Sequence, residues 1–260
     1  MDRRSLLAGV LGATVSSMST EAATSSNSYL ELKIWRLHNT HEDQSARVAE
    51  YLQHGLSPAL TRAGAKLQGA FANLIGENGP YYVSLAEFPS LGGMQETLTK
   101  LASDPEHQKA AEKLDSGNGL PFVRVESSLL RSFDRMPQVT VPEEGGSRSP
   151  RIFELRTYES QTFVTLTRKV AMFNGGEMQI FERLGMHPVF FGQTIVGPRQ
   201  PNLMYMLSYD DLASRDRLWK AFGSDPEWKK LSGQPELKDA EIVANISNVI
   251  LRPLAFSPIR

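Results

Sequence analysis

The sequence predicts an α+β fold in which two tandem copies of one βαββαβ unit close into a barrel. Three observations predict it: motifs recur at a nearly constant offset, each copy opens with a strand-like alternation, and a Pro- and Gly-rich segment separates the copies. Because an internal repeat fixes the architecture of the whole chain, it takes precedence over any single motif. The copies are predicted at 29–135 and 151–260, with a linker at 136–150.

The clearest repeat is the tetrad Ser-Asp-Pro-Glu, which occupies 103–106 and recurs at 224–227, an offset of 121. The triplet Glu-Leu-Lys at 31–33 recurs as Glu-Leu-Arg at 154–156, an offset of 123, so a two-residue length change lies in the first helical segment, before Gly76. In each tetrad the first two residues can cap a helix and Pro suits its first turn, so each predicts a short helix. Further pairs at the offset of 121 are Gly76 with Gly197, Pro80 with Pro201, Phe88 with Tyr209, and Leu98 with Trp219.

Each copy contains the same elements in the same order. The alternation at 30–35 indicates a strand, and an amphipathic helix follows, which Gly175 and Gly176 are expected to interrupt in the second copy. The remaining predicted elements are two strands, a helix and a strand, at 70–75, 81–88, 91–101 and 123–131 in the first copy and at 189–196, 203–209, 212–222 and 244–252 in the second. This order is that of a ferredoxin-like sandwich, and two such sheets packed sheet to sheet give a closed α/β barrel.

Residues 1–23 have the pattern of a cleavable export signal. Arg3 and Arg4 precede a short apolar run at 6–11, and small residues end at Ala22 and Ala23. This pattern resembles a twin-arginine signal, which predicts a periplasmic or secreted bacterial protein. The run is too short for a stable membrane span. The alternative is a disordered cytosolic tail with a chance arginine pair.

Composition and motif content exclude several kinds of chemistry. A net charge of −1 argues against a nucleic acid partner. A chain without cysteine has no thiolate nucleophile, disulfide or iron–sulfur cluster. The sequence contains no Gly-rich phosphate loop, nucleophile elbow or zinc-protease motif, which argues against nucleotide-dependent, esterase and zinc-protease activity.

The opening strand of each copy supplies the candidate site. We expect Leu30, Leu32 and Ile34 to face the helices, so that the residues between them and their counterparts in the second copy point into the barrel. These candidate barrel-lining residues are Glu31, Lys33, Trp35, Glu154, Arg156 and Tyr158.

Two interpretations of these residues stay open. Because a buried charge must be paired, the first is structural, with Glu31 bound to Lys33 and Glu154 bound to Arg156. The second is a ligand pocket in which Arg156 binds a carboxylate or enolate, Glu154 acts as a base and Tyr158 donates a proton.

The histidines predict no metal site. His38 and His41 lie in a polar loop before the first helix, where Asp43 or Thr40 is expected to act as the cap. His187 precedes a proline at the start of a strand and is the histidine considered as an axial haem ligand. The cofactor is therefore unknown: haem is the one candidate, and no residue clearly requires it.

The second copy resembles the NIPSNAP family. The resemblance rests on Glu-Leu-Arg-Thr-Tyr at 154–158, Leu-Ala-Ser-Arg at 212–215, Asp-Pro-Glu-Trp at 225–228 and Leu-Arg-Pro at 251–253. The first copy has weaker motifs, with Lys33 for Arg, Trp35 for Tyr and His107 for Trp. The resemblance implies a ferredoxin-like barrel of the dimeric α/β-barrel superfamily, often dimeric, whose wider membership includes haem-degrading and quinone-forming monooxygenases.

The sequence therefore predicts an exported small-molecule-binding or weakly enzymatic barrel whose substrate is unassigned. One alternative is a haem-binding or cofactor-poor monooxygenase-like enzyme. Another is a non-catalytic structural adaptor that uses its outer helices as docking faces. The expected partners are a small molecule and, through homo-oligomers, other copies of the chain.

Overall fold

The structure, a computed structural model, describes residues 27–141 and 151–260. The predicted signal at 1–23 and the 142–150 part of the predicted linker lie outside the described residues.

Eight antiparallel strands form one closed barrel in the order β1-β3-β2-β8-β5-β7-β6-β4. The strands are β1 (Tyr29–Arg36), β2 (Lys66–Ile75), β3 (Tyr81–Phe88), β4 (Arg124–Ser132), β5 (Ile152–Glu159), β6 (His187–Val196), β7 (Asn202–Tyr209) and β8 (Asn245–Pro253). Each half has the ferredoxin-like strand order, and the halves join at their edges through β4–β6 and β2–β8. The predicted closure is therefore reached by hydrogen-bonding sheet edges, which leaves no strand edge of the barrel unpaired.

Helices cover the outside of the barrel in both halves. They are α1 (Gln44–Glu50), α2 (Ser57–Ala63), α3 (Leu91–Ser103), α4 (Pro105–Asp115), α5 (Phe163–Met172), α6 (Met178–Arg183), α7 (Leu212–Ser224), α8 (Pro226–Ser232) and α9 (Asp239–Ile242). A 3₁₀ turn at Pro235–Leu237 precedes α9. No helix within the described ranges has the length and apolar character needed to cross a membrane.

The first helix of each half contains a π-helical segment. Tyr51–Leu56 joins α1 to α2, and Phe173–Glu177 joins α5 to α6. The second segment contains Gly175 and Gly176, where the sequence predicts an interruption. A π-helical segment widens the helix locally, and such segments are frequent at functional sites.

The predicted caps are present in both halves. Asp104 accepts hydrogen bonds from the backbone N–H groups of the second and third residues of α4, and Asp225 does the same for α8. Each helix begins at the proline that follows. The Asp43 carboxylate accepts a hydrogen bond from the Ala46 N–H group and caps α1, as the sequence predicts.

The two-residue length change lies mainly outside the first helix, contrary to the prediction. The loop from β1 to α1 spans 37–43, whereas the loop from β5 to α5 spans only 160–162. The first helical regions, 44–63 and 163–183, differ by a single residue. A loop absorbs the difference because it can lengthen without moving a helix over the sheet.

The barrel interior is apolar and takes residues from all eight strands. Leu30 and Leu32 of β1 are buried there with Phe153 and Leu155 of β5, and Ile34 packs against the same cluster. The prediction that Leu30, Leu32 and Ile34 face the helices is therefore wrong. Both faces of this sheet are covered, and the mainly aliphatic face of each strand lines the interior, where an unpaired polar group would be costly.

Two neighbouring positions on β1 test this orientation. Replacing Leu32, which is 1% exposed, with Ala is expected to lower the free energy of unfolding by about 3 kcal/mol, because it opens a cavity in the interior. The control Lys33→Met keeps the aliphatic stem outside the barrel and is expected to cost less than about 1 kcal/mol. Urea unfolding measures both values, and a larger loss for Lys33→Met would contradict the orientation.

Candidate functional site

The six sequence-predicted site residues lie between the sheet and the helices. Trp35 packs in the cluster under α1 and α2, and Tyr158 packs in the cluster under α5 and α6. Glu154 binds residues of α7, and Glu31 and Lys33 line a cleft under α2 and α3. Their predicted location inside the barrel is therefore wrong. The predicted alternation is present, but the side chains predicted to face the helices line the barrel and those predicted to line the barrel face the helices.

In the second half, Glu154 is the centre of a buried polar cluster. Its side chain is fully buried and accepts hydrogen bonds from Arg156 Nη1 at 2.9 Å and from Arg215 Nε and Nη2 at 2.9 and 2.6 Å. Trp219 Nε1 at 2.9 Å and Asn248 Nδ2 at 3.1 Å complete the set. These donors occupy the carboxylate, so the cluster has the structural ion pair of the first interpretation.

The electrostatics of Glu154 favour the ionised form. Burial opposes ionisation, but the Arg215 hydrogen bonds and the Arg156 charge outweigh it and hold the pKa of Glu154 below its ordinary value. A carboxylate with a lowered pKa and five donated hydrogen bonds is a poor general base.

Arg156 extends the cluster toward two tyrosines. Its Nη2 donates to Tyr158 Oη at 3.2 Å, and Tyr205 Oη donates to the same oxygen at 2.9 Å. Its guanidinium lies 4.4 Å from the centroid of the Trp219 ring. Burial raises the pKa of Tyr205 far above its ordinary value, so this hydroxyl stays protonated. Among the described residues, the buried Nε of Arg156 has no hydrogen-bond partner.

A second buried ion pair lies beside this cluster and was missed by the sequence reasoning. Lys169 and Glu177 are almost fully buried and 3.0 Å apart, and the Lys169 ammonium lies 4.9 Å from the centroid of the Phe173 ring. Burial disfavours the ammonium, yet Glu177 and Tyr158 raise the pKa of Lys169. Helical spacing contains the signal, because Lys169 follows Leu166 by three positions on the buried face of α5.

In the first half, the equivalent acid has fewer partners. Glu31 forms a 3.0 Å ion pair with Lys33 and accepts a 3.0 Å hydrogen bond from Ser127 Oγ. Trp35 Nε1 donates to Ser84 Oγ at 3.0 Å. The predicted pairing of Glu31 with Lys33 is thus present, but the side chains of Glu31 and Lys33 are 13% and 28% exposed.

Glu31 and Lys33 form part of a cleft with a partly polar floor and apolar walls. The cleft is shallow: about 20 Å³ of it is enclosed enough for a water-sized sphere, within about 320 Å³ of space between its lining residues that includes the opening to solvent. The floor, on the sheet, is formed by the polar Glu31, Lys33 and Ser84 with the apolar Leu67, Ala86 and Phe88, and the walls, on the helical side, are Leu56, Leu60, Leu98 and Leu101. Leu56 is the last residue of the first π-helical segment. We call this space the first-half cleft.

The repeat explains why this cleft is open. Ser127 is opposite Lys33 in the β-ladder, as Asn248 is opposite Arg156, and each donates to the acid of its own half. The two donors that α7 supplies to Glu154, Arg215 and Trp219, have no equivalents on α3. At the offset of 121, Arg215 corresponds to Met94 and Trp219 corresponds to Leu98. The side chains that cover Glu154 are therefore replaced by shorter ones without N–H donors.

The lining of the first-half cleft does not fit a metal or an axially ligated haem. The described part of the chain has no group of three His, Cys, Asp or Glu residues that could hold a metal ion. The lining of the first-half cleft includes no histidine, methionine or tyrosine that could serve as an axial haem ligand. His107 Nε2 and Tyr51 Oη form a 2.9 Å hydrogen bond, and His187 is exposed at the start of β6.

The fold and the strand order define a class. An eight-stranded barrel made of two ferredoxin-like halves, with helices outside, is consistent with the architecture of the dimeric α/β-barrel superfamily, here with both halves in one chain. Residues 153–258 match the NIPSNAP family model, which confirms the resemblance seen in the motifs of the second half.

Solved structures match nearly the whole chain. A "putative monooxygenase" from Lactobacillus acidophilus is 10% identical, with the match covering 87% of this chain and 94% of that chain at a TM-score of 0.57. A protein of the same description from Fusobacterium nucleatum is 8% identical over 88% of this chain and 93% of that chain, at 0.53. At these identities the likeness shows the fold alone.

A NIPSNAP family protein from Agrobacterium tumefaciens is 22% identical over 42% of this chain and 99% of that chain, at a TM-score of 0.38. A comparison with curated proteins found no match.

The two acids provide a matched test of the difference between the halves. Glu154→Gln is expected to lower the free energy of unfolding by about 3 kcal/mol, because it leaves the buried Arg156 and Arg215 charges without their carboxylate. Its equivalent Glu31→Gln is expected to cost less than about 1 kcal/mol, because water reaches Glu31. Chemical denaturation measures both, and equal losses would contradict the assignment of the buried cluster to the second half.

The same cluster predicts a pH dependence. Because the folded-state pKa of Glu154 is lowered, its contribution is present above the unfolded-state pKa of about 4.3 and is lost as the pH falls through the folded-state pKa. The wild-type protein is therefore expected to lose stability below about pH 4, and Glu154→Gln is expected to lose less over that range. Unfolding free energies measured from pH 7 to pH 3 test this, and parallel curves for the two proteins would count against it.

Proposed function

We propose that the protein binds a small molecule in the first-half cleft. The observation that supports this proposal is the comparison of the two halves: the space above Glu154 is filled by the chain's own Arg215 and Trp219, whereas the space above Glu31 is open to solvent. An open space with apolar walls and a few polar groups at its floor is the usual form of a ligand site.

The groups at the floor suit recognition better than strong catalysis. Glu31 and Lys33 neutralise one another, and the indole N–H of Trp35 is engaged by Ser84. A bound ligand would meet an acceptor, an ammonium and a hydroxyl within an apolar enclosure. This arrangement orients a polar group and binds the rest of the ligand by burial of apolar surface.

Weak enzymatic activity would use the same cleft. A cofactor-poor monooxygenase-type reaction is the alternative within this function, and two structural neighbours are described as a putative monooxygenase, without mention of a cofactor. An adaptor role is the alternative without a small ligand. A ligand retained by the protein separates these, because its chemical structure names the class of reaction and its absence favours the adaptor.

Filling the cleft tests the proposal. Native mass spectrometry of protein purified from its own cells is expected to show a retained small molecule, and Leu98→Trp is expected to reduce its occupancy at least about tenfold by occupying the space that Trp219 occupies in the second half. Leu91→Trp is the matched control, since Leu91 is exposed on the same helix and does not line the cleft.

Equal occupancy in Leu98→Trp and wild type would contradict a ligand site in this cleft. A retained protein instead of a small molecule would support the adaptor, and a Soret band on haem titration would support the haem alternative. The same spectra report whether the chain forms homo-oligomers, which stays a prediction.

We propose further that the chain is exported by the twin-arginine route, on the basis of Arg3 and Arg4 and the short apolar run that follows. In cell fractionation the wild type is expected in the periplasm or medium, with a mature N-terminus just after Ala22 or Ala23. Replacing both arginines with lysine is expected to retain the precursor in the cytoplasm, and Ser5→Ala is the control. Export of the double variant at the wild-type level would refute this route.

A further inference from the structure

We infer that the ligand of the first-half cleft presents a cationic N–H donor attached to a planar aromatic or apolar body, and that it takes in the first half the place that Arg215 and Trp219 take in the second. The inference rests on the proposed function and adds the chemical class of the ligand.

The two equivalent acids accept hydrogen bonds from unequal numbers of donors. Glu154 accepts from Arg156, Arg215, Trp219 and Asn248, with two of these bonds from Arg215 alone. Glu31 accepts from Lys33 and Ser127, which are the counterparts of Arg156 and Asn248. The donors without a counterpart are a guanidinium and an indole N–H. A carboxylate has about four acceptor positions, so Glu31 retains acceptor capacity toward the cleft.

The helices above the two acids, α3 and α7, have matching lengths and starting points. α3 and α7 each have 13 residues, and both are capped by the side chain of the residue before them. Met94 and Leu98 therefore occupy the same turns of α3 that Arg215 and Trp219 occupy on α7. Leu98 is 41% exposed and lines the cleft, and Met94 packs at the edge of the same apolar cluster. The two shorter side chains leave the space above Glu31 open to solvent, on the side where Arg215 and Trp219 cover Glu154.

The charges at the floor of the cleft favour a cationic ligand over an anionic one. The floor of the cleft has one acid and one ammonium, which neutralise each other. In the second half the equivalent pair, Glu154 and Arg156, accommodates the additional positive charge of Arg215. An anionic ligand at the remaining N–H donors of Lys33 would place a second negative charge beside the Glu31 carboxylate, whereas the second half places two arginines around one carboxylate. A cation can instead bind the free side of Glu31 while the ion pair stays intact.

Three matched probes test the inference by isothermal titration calorimetry: tryptamine as the cation, 3-methylindole as the neutral body and indole-3-propionate as the anion. Wild-type protein is expected to bind tryptamine at least about tenfold more tightly than either of the others, because a hydrogen bond between charged partners is stronger than a neutral one. Glu31→Gln is expected to remove this preference and leave the binding of 3-methylindole nearly unchanged.

The double variant Met94→Arg with Leu98→Trp supplies an independent test. It recreates the second-half arrangement, so it is expected to abolish tryptamine binding and to keep or raise the unfolding temperature. The raised or unchanged temperature shows that the loss of binding comes from a filled cleft and not from a damaged fold.

The outcomes separate the inference from the proposed function. Tighter binding of indole-3-propionate that depends on Lys33, or equal binding of all three probes, would overturn the cationic class and leave the cleft as a ligand site. Tryptamine binding that persists in the double variant would also overturn the inference, because the probe would then bind elsewhere. Failure of every probe, together with a retained native ligand that Leu98→Trp does not displace, would overturn the proposed function itself.

Discussion

Closure of the sheet is the constraint on which the rest of the structure depends. Once β4 pairs with β6 and β2 pairs with β8, both faces of every strand are covered. The enclosed face takes mainly apolar side chains from all eight strands, with a few buried hydroxyl groups such as those of Thr157 and Ser208, because an isolated charge there would cost several kcal/mol. The charged residues of β1 and β5 are thereby placed under the helices, where long side chains of the helices or solvent can reach them.

The two halves satisfy this condition in different ways. In the second half the chain supplies its own partners, and Glu154 is fully buried among two arginines, an indole and an amide. In the first half Glu31 stays partly exposed at the floor of a cleft, so solvent can supply some of its hydrogen bonds. The equivalent position is therefore structural in one half and accessible in the other.

The sequence predicts the elements well because their signals are local. The alternation at 30–35, the helical spacing and the capping tetrads depend on neighbours a few positions away, and the strands, helices and caps are found where these signals are. The strand β2 begins at Lys66 rather than at 70, because residues 67–69 include a bulge that interrupts a simple alternation.

The orientation of the first strands could not be predicted in the same way. Alternation separates the Leu32 face from the Glu31 face, but both faces are buried in a closed barrel, and the pattern does not say which is enclosed. The pairing of Leu98 with Trp219 is visible in the repeat alignment. Its meaning requires knowing that the helix lies directly over the acid, which is a tertiary fact.

The difference between the halves also has a mechanical basis. An open cleft forgoes the packing that would fill it, and ligand sites are commonly less stable than their surroundings for this reason. The halves share one continuous sheet, so the second-half network fixes β5, β7 and β8 and, through the β2–β8 and β6–β4 pairings, the strands that form the floor of the cleft. The Lys169–Glu177 pair further fixes the second π-helical segment. A rigid half joined by hydrogen bonds to a half with an open site holds Glu31 and Lys33 in place without filling the space above them.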